Sequence, residues 1–225
     1  MNLGEGEMFN KSPWFSIWIH PKETIESIVS VNPNHRLWPL ATVYGFSSLM
    51  NLAQVYAPGY QFNLLTILIA SIVLAPFWGY FLYGVSSFLI AKTGRWLNGS
   101  ASFIQVRAVA IWASVPFIIN VLCWVVMIIV FGEGLFKDFP GGNILSSLQM
   151  NIVLTVMLIK LGMTIWALVI YLQGLTVVHK FSIAKSMLNV VIVAFIIFVI
   201  LLILWIAIVN TCGHFFDVPL ITWNF

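Results

Sequence analysis

Residues 150–178 read MNIVLTVMLIKLGMTIWALVIYLQGLTVV, an apolar run in which Lys160 is the only charged residue. A helix needs about 20 apolar residues to cross the hydrocarbon core of a bilayer, and this run is longer. It therefore predicts a membrane-spanning helix. A lysine inside such a helix is costly, so it needs a specific environment.

The composition of the whole chain agrees with this interpretation. Its 225 residues are 61% hydrophobic and 8% charged, with a mean hydropathy of +1.01. A soluble domain carries about a quarter charged residues, so we predict an all-α polytopic membrane protein. The formal net charge of +3 is small and the basic residues form no dense patch. The lipid bilayer is therefore the expected partner, and nucleic acid is not expected.

Five apolar runs can span the bilayer, and together they predict a transmembrane bundle over residues 37–209. The second and fourth have 28 and 29 residues. Each makes roughly 42 Å of helix, so it must tilt, kink or project beyond a ~30 Å hydrocarbon core. Pro76 and Pro116 are predicted kink points. The five runs are residues 37–57, 64–91, 108–131, 150–178 and 187–209.

The distribution of lysine and arginine predicts the orientation. Apart from Lys160, eight basic residues lie on one side of the five spans and one, Lys137, on the other. By the positive-inside rule, residues 1–36 form a cytoplasmic segment and residues 210–225 a short non-cytoplasmic tail. The eight are Lys11, Lys22, Arg36, Lys92, Arg95, Arg107, Lys180 and Lys185.

Two stretches before the first span have the composition of short interfacial helices on the cytoplasmic face. Residues 13–18, PWFSIW, carry aromatic rings of the kind found at headgroup depth. Residues 20–31, HPKETIESIVSV, place Ile25, Ile28 and Val29 in one apolar stripe, which predicts an amphipathic helix on the membrane surface. A helix that binds a protein partner is the alternative, because the stripe is short.

Three segments resemble the Yip1 family of multi-pass membrane proteins. They are WFSIWIHPKETIESIV near the N-terminus, LNGSASFIQVRAVAIWASVPFII in the centre, and VVHKFSIAKSMLNVVIV before the last span. The resemblance implies five spans, a cytoplasmic N-terminus and a connection with membrane trafficking. Eukaryotic members have a longer cytoplasmic region linked to Rab GTPases. Only 36 residues precede the first span here, so we do not expect small GTPase binding.

The sequence contains no recognisable catalytic or cofactor-binding motif. It has no Gly-rich phosphate loop, no His-Glu-x-x-His and no Gly-x-Ser-x-Gly, and no Asp or Glu lies within a predicted span. Residues 212–217, CGHFFD, bring Cys212, His214 and Asp217 close along the chain, which suits either part of a metal site or an ordinary polar helix end. We therefore expect no enzymatic activity, no cofactor and no metal.

The candidate functional residues are the polar side chains and prolines within the spans, namely Lys160, Thr164, Asn120, Pro76 and Pro116. Helical periodicity places Lys160 with Thr164 on the small and polar side of its helix, so Lys160 is predicted to point into the bundle. Asn51 is a further intramembrane polar residue. Glu133 and Asp217 are the expected ionic partners of Lys160. Lys160 is then either a structural anchor or a binding-site residue.

Small residues recur every four positions on several spans, as in Ser71, Ala75 and Gly79 or in Ala41 and Gly45. Such stripes let helices approach closely in lipid, within one chain or in homo- or hetero-oligomers. The predicted function is a non-enzymatic Yip1-like membrane protein with a role in membrane organisation or trafficking, or as a scaffold. The alternative is a small permease or transporter component, which would need a polar file across the bilayer.

The count of basic residues makes a topological prediction. A reporter fused after Phe225 should read as non-cytoplasmic, and a reporter placed between residues 92 and 107 should read as cytoplasmic. Paired phosphatase and fluorescent-protein fusions measure both positions. A cytoplasmic reading after Phe225 would show that the first predicted span does not cross the membrane.

Overall fold

The chain folds into helices joined by short connections. The computed structural model describes residues 12–137 and 145–216, and these ranges contain helices and turns but no strand. The all-α prediction is confirmed. The α-helices are α1 (Pro13–Ile19), α2 (Pro21–Val31), α3 (Leu37–Tyr56), α4 (Leu64–Trp96), α5 (Phe103–Trp112), α6 (Phe117–Phe131), α7 (Ser147–His179) and α8 (Ile183–Phe216). Short 3-10 helices lie at Pro58–Tyr60 and Gly132–Phe136.

Four helices in the described residues are long and apolar enough to cross a membrane. They are α4, α7, most of α8, and α6 together with the 3-10 helix that follows it. The predicted first span, residues 37–57, forms the 20-residue helix α3. Asn51 and Gln54 lower the hydropathy of α3, which is not among the four. Four spans are therefore supported, and the membrane crossing of α3 stays a prediction.

The predicted span 108–131 is interrupted at Pro116. α5 ends at Trp112 and α6 begins at Phe117. Proline has no amide hydrogen to donate to the carbonyl of the preceding turn. The carbonyl of Trp112 instead accepts a hydrogen bond from the Val115 amide at 3.3 Å. Such i to i+3 bonds continue from Ser114 to Ile119 and tighten the chain, so α5 and α6 are separated by a short turn at the predicted kink.

Helices α3 and α4 cross in direct backbone contact. A Cβ atom added to Gly45 would collide with the carbonyl oxygen of Ala75, and one added to Gly79 would collide with that of Ala41. These four residues come from the small-residue stripes of the sequence, so the stripes serve packing within the chain. α4 continues through Pro76, beside this crossing, without a break.

Helices α1 and α2 pack on the bundle. Ile25 and Ile28 of α2 are fully buried, and α2 packs against both α5 and α7. The apolar stripe predicted for α2 is therefore covered by protein rather than by lipid, and the location of α2 at the membrane surface stays a prediction. The hydroxyl of Thr24 donates to that of Ser16 at 2.7 Å and connects α2 to α1.

Helix α8 packs on α4 and α7 through its first half. The buried Asn189 accepts a hydrogen bond from the Thr93 hydroxyl at 2.5 Å and donates one to the Ile90 carbonyl at 3.1 Å. Residues 201–210 of α8 are exposed on every side. They are almost entirely aliphatic, which suits contact with lipid chains.

Substituting Gly79 with alanine should destabilise the bundle by about 1–3 kcal/mol, because the added methyl group has no room against α3. Gly84 lies on the same helix, and an added Cβ there meets nothing within 4 Å. The matched variant G84A should be neutral, or stabilising by up to ~1 kcal/mol through helix propensity. Thermal unfolding in mild detergent measures both. Equal midpoints for G79A and G84A would contradict the backbone contact.

Candidate functional site

Lys160 reaches from α7 across α6 to α3. Its Nζ donates to the side-chain oxygen of Asn51 at 3.1 Å and lies 4.0 Å from the centroid of a Trp124 ring. The second contact is a cation–π interaction, because the face of an aromatic ring is electronegative. One turn along α7, the hydroxyl of Thr164 donates to the Lys160 carbonyl at 2.8 Å. Lys160 thus points into the bundle, as helical periodicity predicts.

The partners of Lys160 differ from the expected carboxylates. Glu133 accepts a hydrogen bond from Lys137 at 3.0 Å and forms an ion pair with it. Asp217 lies outside the described residues, as do the side chains of Cys212 and His214. In the part of the chain that the structure describes, Lys160 contacts two neutral groups, an amide oxygen and an indole ring.

A cavity of about 270 Å³ lies one to two helical turns from this contact, between α3, α4, the α5–α6 break and α7. Its lining includes tyrosine, serine and threonine residues, and none of its lining side chains is charged. The break at Pro116 forms part of the wall, so the predicted kink does shape this region. The lining residues are Tyr44, Tyr83, Ser86, Ala110, Ala113, Ser114, Phe117, Thr164, Ala167, Leu168 and Tyr171.

The Lys160 contact and the cavity lie on the same faces of three helices. α3 and α6 each contribute one residue to the cavity and one to the Lys160 contact, seven positions apart, which is two turns or about 10 Å. On α7 the corresponding residues are one turn apart. The Lys160 crevice, as we name it, is formed by Tyr44 and Asn51 of α3, Phe117 and Trp124 of α6, and Lys160 and Thr164 of α7.

Asn120 lies between Phe117 and Trp124 on α6. Its side chain is 4% exposed. The Oδ1 atom of Asn120 and the Nε1 atom of Trp124 are buried, and neither has a hydrogen-bond partner among the described residues. Buried polar atoms are normally satisfied, so an acceptor and a donor are available beside the crevice.

The structure brings together most of the residues singled out from the sequence. Lys160 and Thr164 belong to the crevice, and Asn120 and the break at Pro116 lie beside it. Pro76 does not take part, because it lies at the α3–α4 crossing. Trp124 was missed by sequence reasoning, since an aromatic residue in an apolar run carries no local signal of its partner.

A second buried polar side chain lies at the other end of α7. His179 is 1% exposed and stacks on Phe181 with 4.7 Å between the ring centroids. A Cβ atom added to Gly94 or Gly99 would collide with the His179 ring. The two glycines therefore form a socket that a larger residue would fill.

The comparison with known families agrees with the resemblance of the three sequence segments. A family model described as the Yip1 domain matches residues 15–206. The chain belongs to the Yip1 family. No curated protein and no solved structure matches it significantly. The matched range of this Yip1-family chain includes all six residues of the Lys160 crevice.

The three Yip1-like segments meet at one end of the bundle. The first forms α1 and α2, the second contains the Gly99 turn and α5, and the third joins α7 to α8. α2 packs on α5 and α7, while His179 of the third segment occupies the space beside Gly99 of the second. The Lys160 crevice lies farther along α7, away from this end.

In a background without Cys123 and Cys212, the variant Lys160→Cys should react slowly with a membrane-impermeant thiol reagent from either side. The reactive species is the thiolate, which is disfavoured in apolar surroundings. Lys137, whose side chain is 40% accessible, is changed to cysteine in the same background as the rapidly labelled control. Rapid labelling at position 160 in sealed vesicles would show that water fills the crevice.

Proposed function

We propose that this Yip1-family chain is a non-enzymatic scaffold for membrane organisation or trafficking, with its N-terminus in the cytoplasm. Its working surface is the platform, which we define as α1, α2 and α5. One observation carries the proposal: Ile25, Ile28 and Trp112 of the platform are fully buried. Helices anchored in this way present a fixed surface, which is what recognition of a partner by a scaffold requires.

Hydrogen bonds and ring contacts support the rigidity of the platform. Arg107 of α5 donates to the Asn34 side chain at 2.7 Å and to the Tyr80 hydroxyl at 3.1 Å. The indole of Trp112 donates to the His35 carbonyl at 3.2 Å. Two of these contacts hold the connection between α2 and α3, and the Trp14 ring of α1 lies 5.4 Å from the Trp112 ring, centroid to centroid.

The platform presents apolar side chains on its outer face. Phe15 and Ile19 are four residues apart on α1, so they share a face, and they are 77% and 74% exposed. The basic residues Lys180 and Lys185 lie at the same end of the bundle, which favours a cytoplasmic location. We propose that this face contacts the partner that the scaffold organises.

The double variant F15D/I19D should lose the proteins that the wild type retains after cross-linking in intact membranes and purification in mild detergent. Charged residues on the contact face disrupt its apolar burial. The matched control is Y60D/F62D, which changes two exposed aromatic residues near the opposite end of α3. Quantitative mass spectrometry should show a several-fold loss for F15D/I19D alone. The same protein set from all three samples would refute the platform as the working surface.

A small permease or transporter component is the second candidate, and the Lys160 crevice is the observation that favours it. Intramembrane ionisable residues often line solute pathways. A permease would need water to reach this lysine, so rapid labelling of Lys160→Cys would favour transport over the scaffold. Slow labelling, combined with partner loss in F15D/I19D, supports the scaffold.

A further inference from the structure

We propose that the Lys160 crevice binds one anionic amphiphile from the bilayer, with its carboxylate or phosphate on Lys160 and its hydrocarbon chain in the adjacent cavity. This binding site goes beyond the proposed scaffold function and does not depend on it. The proposal rests on the charge of Lys160, the shape and lining of the cavity, the orientation of the two along α7, and the unpaired polar atoms beside them.

The charge on Lys160 needs a counterion. A lysine within a span costs roughly 2.5–3.5 kcal/mol on insertion scales, and a neutral amide oxygen with an indole ring compensates it less well than an anion does. Glu133, one of the two expected ionic partners, is paired with Lys137, and the other, Asp217, lies outside the described residues. An ammonium has three donors, and among the described residues only Asn51 is an acceptor for them. A bound carboxylate or phosphate completes this set.

The cavity suits a hydrocarbon chain. Its volume of about 270 Å³ is larger than the ~150 Å³ of an engineered apolar cavity that binds benzene. Alanine, leucine and aromatic carbon atoms make up most of the wall, and its hydroxyl groups are uncharged. A free inorganic anion has no apolar surface to pack against such a wall, whereas a hydrocarbon chain has.

Lys160 and the cavity follow each other along the helices in the same order as the headgroup and chain of a lipid in one leaflet. Asn51 lies five residues before Tyr56, where α3 ends, or about 7.5 Å along the helix. The cavity lies about 10 Å farther from that end, toward the centre of α3. A headgroup at Lys160 therefore points to the near membrane surface and its chain to the bilayer interior. Asn51 and Thr164 are exposed in the isolated chain, so the crevice is accessible from the bilayer.

Two buried polar atoms of α6 lie on the helix face that carries the ring in contact with Lys160. Asn120 Oδ1 is a hydrogen-bond acceptor and Trp124 Nε1 is a donor. Both atoms are buried, and neither has a partner among the described residues. Trp124 also carries the ring beneath Lys160. A hydroxyl or ester group next to the anionic head could bond to these atoms, which gives an extended lipid headgroup more contacts than a plain fatty acid.

Native mass spectrometry of the full-length, delipidated protein in detergent tests the headgroup. Oleate and dioleoyl phosphatidylglycerol are the two probes, and each should bind with one molecule per chain. K160Q should weaken both by about tenfold or more, because the charge-assisted contact is lost. The control K137Q should bind as the wild type does. Tighter binding of phosphatidylglycerol identifies a phospholipid as the source, and tighter binding of oleate identifies a fatty acid.

Two further comparisons test the amphiphile itself. Monoolein, which has the same chain and no charge, should bind about tenfold more weakly than oleate. A167F fills the cavity from its buried wall and should weaken oleate binding while Lys160 is intact; L161F, at an exposed position on α7, is its control. K160R should retain binding, which keeps the test valid if K160Q does not fold.

Three results would overturn the proposal. Equal affinity of wild type and K160Q for both anionic probes would show that Lys160 does not bind the head. Displacement of bound oleate by inorganic phosphate alone would show a site for free anions. Unchanged oleate binding in A167F would show that the chain lies elsewhere.

Discussion

Direct backbone contact between Gly45 and Gly79 is the constraint on which the rest of the bundle depends. Because neither residue carries a side chain, α3 can lie against α4 at a distance that no larger residue permits. α3 is the least apolar of the membrane-length helices, and this contact holds it against α4. It also sets the position of the adjacent Tyr44 and of Asn51, the oxygen ligand of Lys160.

The break between α5 and α6 imposes a second requirement. Backbone carbonyls that lack an α-helical hydrogen bond near Pro116 cannot face lipid, because hydrocarbon offers them no hydrogen-bond donor. Ala113, Ser114 and Val115 are accordingly buried, and α2 covers α5 from the other side. Besides the recognition that we propose for it, the platform therefore covers an irregular segment whose backbone groups hydrocarbon cannot satisfy. The same break opens the wall of the cavity in which we propose that a lipid chain lies.

A scaffold and a lipid site are compatible within one bundle of this kind. Lys160 lies along α7 away from His179 and the platform end of the bundle, while Ala110 of the platform helix α5 lines the adjacent cavity. Between them the bundle is held by apolar packing and small-residue contacts. A ligand in the crevice would contact α3, α6 and α7 together, and so would stabilise the arrangement of helices from which the platform extends.

The sequence by itself determined the membrane class, the helical architecture, the family, four of the spans and the direction of Lys160. Each of these follows from hydropathy, helical period or residue order, which are properties of one segment at a time. The Gly45 and Gly79 stripes likewise predicted close packing. Only the tertiary structure decided which surfaces meet: the stripe of α2 shows that one face is apolar, but not whether lipid or α5 covers it. Asn51 and Trp124 are 109 and 36 positions from Lys160. Such long-range contacts arise from the crossing of α3, α6 and α7, which no local pattern encodes.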